Sequence, residues 1–164
     1  MWPRSVPGEG HPAYAAPDRR GRLPSAMARR PVLPELADPR AEHVVEGSAF
    51  HTLDEAAAEF TRALALTSPW EGSLDALNDV LYGGFGTPAG GFVLVWRDSD
   101  LSRERLGYPA TTAWLEARVR RGPPYDVALL SGRLEAARRG EGQTLFDVVV
   151  EIIRDHPEIE LRLE

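Results

Sequence analysis

The sequence predicts an α/β fold, a small three-stranded parallel sheet packed with helices. Three segments have strand character: residues 43–47, the continuous apolar run 92–96, and the alternating stretch 158–163. A continuous run of β-branched and aromatic residues is typical of a strand buried on both faces, whereas alternation of apolar and polar residues indicates a strand with one solvent-exposed face. Helical segments separate the three strands, and strands joined by helical crossovers pair in parallel.

The helices are predicted from caps and breakers. Thr52 is a candidate N-cap, and Glu55 three positions later completes a capping box for a helix from Ala56 to Leu66. A second helix runs from Ser73 to Tyr82 and ends at the glycine-rich link 83–91. Three further helices are predicted at residues 106–121, 125–139 and 144–155.

The chain divides into a leader and a domain. Residues 1–40 contain eight of the fourteen prolines and seven arginines, and they lack helical or alternating periodicity. This composition predicts a disordered N-terminal extension, followed by a domain at residues 41–164. Either Met1 or Met27 is compatible with the start of translation. The order of charge, apolar run and cleavage site expected of a signal peptide is missing, which favours a cytoplasmic protein.

The composition restricts the function. The chain has no cysteine, so disulfides and thiolate chemistry are excluded. No apolar run approaches the roughly 18 residues of a membrane span. The net charge is −6, and residues 41–101 hold ten acidic residues against two arginines. Such an acidic region repels nucleic acid and membrane surfaces of the same sign, and it attracts cationic partners.

The residues give little support for an enzyme. No two histidines have the i, i+4 spacing of a helical metal pair. The segment 84–90 has GxGxxxG spacing, but it follows a helix and precedes a strand, the reverse of a phosphate-binding loop. We therefore predict no catalytic residue, no metal and no cofactor.

The second helix has two stripes. Leu74, Leu77 and Leu81 recur at helical spacing and predict its buried face. Its other stripe is formed by Asp75, Asn78, Asp79 and Tyr82. Like charges at i, i+4 disfavour a helix slightly. From the residues alone, a solvated acidic face is the favoured interpretation; an acid–base pair is disfavoured, because adjacent turns of one helix form a convex surface.

Two motifs resemble a known family, the barstar-type ribonuclease inhibitors. The run from Trp70 to Leu81 is similar to that family's aromatic-Gly turn followed by Leu-Asp-Ala-Leu-x-Asp-x-Leu, and Phe92 to Arg97 is similar to its apolar strand ending in Trp-Arg. The resemblance covers about residues 43–164 and implies a barstar-like fold. An insertion around 102–142 and the leader at 1–40 are departures from it.

The resemblance implies that the partner is a basic ribonuclease or ribonuclease-like toxin. It also implies that the acidic helix plugs the active site of this partner and that the unbound chain is a monomer. Asp75 and Asp79 match the family's two binding aspartates, and Asn78 stands where the family usually has an aromatic residue. The full set of predicted partner-binding residues is Trp70, Glu71, Asp75, Asn78, Asp79, Tyr82 and Glu151. The alternative is a barstar-like interaction domain with a non-nuclease regulatory partner.

Overall fold

A computed structural model describes residues 40–83, 85–87 and 90–164, and Arg40–Glu164 forms one compact unit. The predicted disordered extension, apart from Arg40, and the choice between Met1 and Met27 lie outside the described residues. The sheet has strands β1 (Glu42–Glu46), β2 (Phe92–Arg97) and β3 (Ile159–Leu163) in the order β1-β2-β3. Both pairings are parallel, which confirms the predicted α/β fold.

Within the described residues, six α-helices connect and cover these strands. They are α1 (Leu53–Ala63), α2 (Leu74–Tyr82), α3 (Ser99–Arg105), α4 (Tyr108–Arg121), α5 (Val127–Arg138) and α6 (Leu145–Arg154), with a 3₁₀ turn at Gly47–Ala49. The first helix is shorter than predicted, because Ala65 has a left-handed φ of 50° that ends helical geometry before Leu66.

The start of α1 differs in detail from the predicted capping box. Thr52 accepts a hydrogen bond from the Glu55 amide at 3.2 Å, as expected of an N-cap. The Glu55 carboxylate, however, accepts from the amide of His51 at 2.6 Å rather than from Thr52. The reciprocal half of the box is therefore displaced by one residue.

Helix α3 was not predicted. It follows β2 directly, after Asp98 takes a left-handed φ of 49°. Its buried positions are Ser99 and Ser102, and the Ser102 hydroxyl accepts a hydrogen bond from the Trp96 indole at 2.9 Å. A helix that buries serines instead of leucines has no apolar stripe, so periodicity gives no signal for it.

The main core lies around Trp96 on the central strand. Its ring is fully buried and packs against three other aromatic rings, those of Phe50, Phe60 and Phe146. Residues 92–96 are all buried, as their composition predicted. Helices α4 and α5 form a second, smaller core around Leu115 and Leu134, within the segment predicted to be an insertion.

Glu59 provides a test of how pH affects this fold. Its carboxylate is 9% exposed and accepts hydrogen bonds from Arg62 Nε at 2.8 Å, Arg62 Nη2 at 2.6 Å and the Glu46 amide at 2.9 Å. The Arg62 hydrogen bond is the main reason why the pKa of Glu59 lies below its usual value. A lowered folded-state pKa adds stability above the unfolded value of about 4.3, and that stability is lost as the pH falls through the folded pKa.

We therefore expect Glu59→Gln to lower the free energy of unfolding on the order of 1 kcal/mol at pH 7, with the deficit shrinking toward pH 3. Urea unfolding at several pH values measures this. Glu135→Gln is the matched control, because Glu135 pairs with Arg138 at the same i, i+3 spacing but is 59% exposed. A deficit that does not depend on pH would contradict the role given to the Glu59 carboxylate.

Candidate partner-binding site

The turn before α2 is held by backbone geometry. The Ser73 amide donates to the Trp70 carbonyl at 2.9 Å, and Glu71 and Gly72 have φ values of 48° and 66°. Two positive φ angles in succession are typical of a type I′ turn. A left-handed φ at glutamate is uncommon and costs free energy, so the surrounding structure has to maintain it. The turn thus fixes Glu71, whose side chain is exposed, at the entrance to α2.

Helix α2 presents the two aspartates to solvent. The Ser73 hydroxyl accepts from the Ala76 amide at 3.4 Å and caps the helix. The buried face consists of Leu77, Val80 and Leu81, while the predicted Leu74 is only half-buried. Asp75 and Asp79 are both exposed and lie one turn apart on the opposite side. The structure therefore brings the two carboxylates together on one accessible face.

Asn78 and Tyr82 meet at a buried histidine. The Asn78 Oδ1 lies 3.2 Å from Nε2 of His156, whose side chain is 1% exposed. Tyr82, which is 75% exposed, packs edge-on against the same imidazole with 4.6 Å between ring centroids. His156 Nδ1 also lies 3.6 Å from a carboxylate oxygen of Glu158. Asn78 is consequently engaged within the chain, whereas Tyr82 offers an exposed phenol ring beside the aspartates.

Trp70 does not lie on the predicted surface. Its side chain is 1% exposed and packs edge-on against Phe60 in the main core, at 6.3 Å between ring centroids. Trp70 therefore anchors the turn instead of offering a contact surface. Its indole N–H is buried and has no hydrogen-bond acceptor among the described residues.

Glu151 lies on a different helix from the aspartates. It is exposed on α6, a helix that packs against α2, and its carboxylate accepts from Gln143 Nε2 at 2.5 Å. It lines a cleft with Arg103 and Arg154, and no α2 residue contributes to that cleft. The structure thus puts Glu151 on the helix that packs against α2, where it borders a second cleft.

A feature that the sequence did not predict lies between the turn and α4. We call it the α2–α4 cleft; its volume is about 600 Å³. One wall consists of Asp54, Pro69, Trp70, Glu71, Gly72, Ser73 and Ala76, and the other of Trp114, Ala117, Arg118, Arg121 and Tyr125. The cleft therefore has carboxylates on one wall and guanidinium groups on the other.

Arg118 is the best-fixed cation of the cleft. Its guanidinium lies 3.6 Å from the centroid of the Trp114 ring and 5.4 Å from that of Tyr125. Burial lowers the pKa of Arg118, while Tyr125 and Asp75 raise it in part, and a guanidinium stays protonated at neutral pH. The i, i+4 spacing of Trp114 and Arg118 was the available sequence signal for this stack.

The described residues contain no group of three or more His, Cys, Asp or Glu side chains placed to hold a metal ion. Among the same residues, none of the helices has the length and apolarity needed to cross a membrane.

The fold and the site define an α/β domain that presents an acidic helix, capped and anchored by the turn before it, on a parallel sheet. The family model described as barstar (barnase inhibitor) matches residues 40–117, which places this part of the chain in the barstar family. The matched region includes the turn, α2 and β2 and ends within α4. A search of curated proteins found no significant match.

Gly72 is expected to be essential to the geometry of the turn. A Cβ at this position would lie 2.2 Å from Asp54 Oδ1, and its φ of 66° is left-handed. The carboxylate can rotate away, so the backbone conformation supplies most of the cost. We expect Gly72→Ala to lower the free energy of unfolding by about 1–2 kcal/mol. Chemical denaturation measures this.

Gly132 in α5 is the matched control for Gly72. A Cβ there meets no atom within 4 Å, and the position is helical. Gly132→Ala should therefore stabilise the chain by about 0.5–1 kcal/mol. Equal effects of the two substitutions would contradict the account of the turn.

Proposed function

We propose that this chain inhibits a basic ribonuclease by covering its active site with α2. The observation that carries the proposal is the pair of exposed carboxylates, Asp75 and Asp79, on one face of a capped helix in a member of a family described as barnase inhibitors. An enzyme that cleaves RNA needs cationic groups for its phosphates. The two carboxylates take the place of those phosphates.

The anchored turn supports rapid and tight binding. Glu71 is held in a left-handed backbone conformation, and its neighbour Trp70 is fixed in the core, so little backbone freedom of the turn is lost on docking. The charge supports fast encounter, since residues 41–101 carry ten acidic residues against two arginines. Attraction between an acidic and a basic surface raises the association rate and makes it sensitive to salt.

The biological role that fits this inhibition is immunity to a ribonuclease toxin. A cell that makes such an enzyme has its own RNA at risk in the cytoplasm, so the inhibitor acts there. It binds as a monomer, one inhibitor to one enzyme.

The test is inhibition of RNA cleavage by a panel of small basic ribonucleases that includes barnase. The purified 164-residue chain is titrated against each enzyme, and the Asp75→Ala/Asp79→Ala double variant is the control. We expect stoichiometric inhibition of at least one enzyme by the wild-type chain and none by the double variant at equal concentration. Failure to inhibit any enzyme of the panel, or equal inhibition by both proteins, would overturn the proposal.

A second candidate is a regulatory partner that is not a nuclease. The observation that favours it is Asn78, which replaces the aromatic residue usual in the family and is engaged by His156. Affinity capture separates the two candidates. A non-nuclease protein retained by wild-type chain and released by the double variant, together with a panel that is not inhibited, would favour the regulatory partner.

A further inference from the structure

The α2–α4 cleft contains two cations that form no direct ion pair with any described residue. Among the described residues, no carboxylate oxygen lies within 4.0 Å of Arg118 or Arg121. The carboxylates of Asp54 and Glu71 belong to the opposite wall of the cleft. The two guanidinium groups, three residues apart on α4, therefore share one side of the cleft.

Arg118 is also preorganised. Its stack on Trp114 at 3.6 Å, with Tyr125 at 5.4 Å, restricts a side chain that is usually mobile. The entropy of ordering such a side chain is therefore largely lost before any ligand arrives. A fixed cation that forms no direct ion pair is a suitable group for binding an anion.

A partner that docks on α2 also covers this cleft. Glu71, Ser73 and Ala76 line it, and they belong to the turn and the first turn of α2 that the proposed function assigns to the interface. Covering the mouth removes water from Arg118 and Arg121. Removing water from a cation without supplying a counter-charge is unfavourable, so the partner needs an anion at this place.

We propose that the α2–α4 cleft accepts a carboxylate of the partner, through Arg118 and Arg121. The partner surface is then not uniformly basic: it carries a carboxylate next to the cations that Asp75 and Asp79 contact. This inference rests on the proposed function, and it specifies the chemistry of the partner beyond what the acidic helix alone requires.

The sign of one charge reversal tests the inference. If the partner were uniformly basic, Arg121→Glu would add negative charge facing it and tighten the complex. If a partner carboxylate occupies the cleft, the same substitution brings two like charges together and weakens the complex. Arg121 is exposed at the end of α4, so the substitution leaves the packed core untouched.

Arg120 is the matched control. It is the preceding residue on the same helix, it is also exposed, and it does not line the cleft. Arg120→Glu changes the net charge by the same amount, so it reports the long-range effect of charge alone.

The first measurement is the dissociation constant of each variant with the inhibited ribonuclease, by surface plasmon resonance at moderate salt. We expect Arg121→Glu to weaken binding about tenfold and Arg120→Glu to change it less than about twofold or to tighten it slightly. An Arg121→Glu variant that binds as tightly as Arg120→Glu, or more tightly, overturns the inference and leaves the proposed function intact.

The second measurement needs no ribonuclease. The full chain, labelled with ¹⁵N, is titrated with a short Arg-Glu peptide and with its Arg-Gln counterpart, and the Nε–Hε signals of Arg118 and Arg121 are followed by NMR. We expect those signals to shift at peptide concentrations about fivefold lower for Arg-Glu than for Arg-Gln. Equal titrations, or no shift, overturn the inference. If no ribonuclease is inhibited, this result alone decides whether the cleft binds a carboxylate.

Discussion

Replacing Asp79 with alanine is expected to weaken binding to the target ribonuclease by about 100-fold or more, with no loss of fold stability. Removing one partner of a desolvated interfacial charge pair costs about 2–5 kcal/mol, a range drawn from charge pairs that include those of barnase with barstar. Within the free chain, Asp79 is exposed and forms no ion pair with a described residue. Its removal relieves repulsion from Asp75 one turn away, which raises helix stability by a few tenths of a kcal/mol.

Asp75→Ala should have a smaller effect than Asp79→Ala. The charge of Asp75 raises the pKa of Arg118, so Asp75 already has a favourable interaction within the chain. A partner cation therefore gains less from Asp75 than from Asp79. Isothermal titration calorimetry of both single variants measures the difference, and thermal unfolding of the same samples checks stability.

Glu104→Ala controls for the loss of one negative charge. Glu104 is exposed on α3 and pairs with no arginine among the described residues, so its removal changes the net charge by the same amount at a distance from α2. We expect a less than about threefold change in affinity. Comparable losses from Glu104→Ala and Asp79→Ala would mean that the overall charge, and not the face of α2, determines binding.

The features that were predicted correctly are those with local sequence signals. The buried strand β2 is a continuous apolar run, and its five residues 92–96 are all buried. The faces of α2 follow from helical periodicity, and Asp75 and Asp79 are exposed as that periodicity requires. In each case the residues that determine the structure lie within about ten positions of each other in the sequence.

The features that were missed depend on distant residues or on small side chains. The α2–α4 cleft joins residues near 70–76 to Arg118 and Arg121, which lie more than forty positions later in the chain. The contact of Asn78 with His156 spans 78 positions. Periodicity in the sequence does not predict such long-range contacts, because they form only when the helices pack against each other.

Trp70 differs from both groups, because its motif was recognised and its burial was not predicted. The resemblance placed it beside the binding helix, and position in a motif does not distinguish an anchor from a contact. Burial makes that distinction: the Trp70 side chain is 1% exposed and packs against Phe60 in the core. The buried Trp70 therefore anchors the turn that presents Glu71. This anchor helps the short exposed segment to keep its left-handed backbone conformation.

Two substitutions at Trp70 separate the anchor from a contact. Trp70→Ala removes a fully buried indole and should lower the free energy of unfolding by about 3–5 kcal/mol. Trp70→Phe keeps most of the packing and removes a buried N–H that has no described acceptor, so we expect a loss of only about 1–2 kcal/mol. Urea unfolding measures both.

Binding then distinguishes the two roles. Because the Trp70 side chain has almost no exposed surface, Trp70→Phe should inhibit the target ribonuclease within about threefold of the wild-type chain. Tyr82→Ala is the matched comparison: Tyr82 is 75% exposed beside the aspartates, and its removal should weaken binding more while affecting stability less. If Trp70→Phe folded normally and lost inhibition, the indole would have to move to the surface on binding, and the turn would be a mobile element instead of a fixed one.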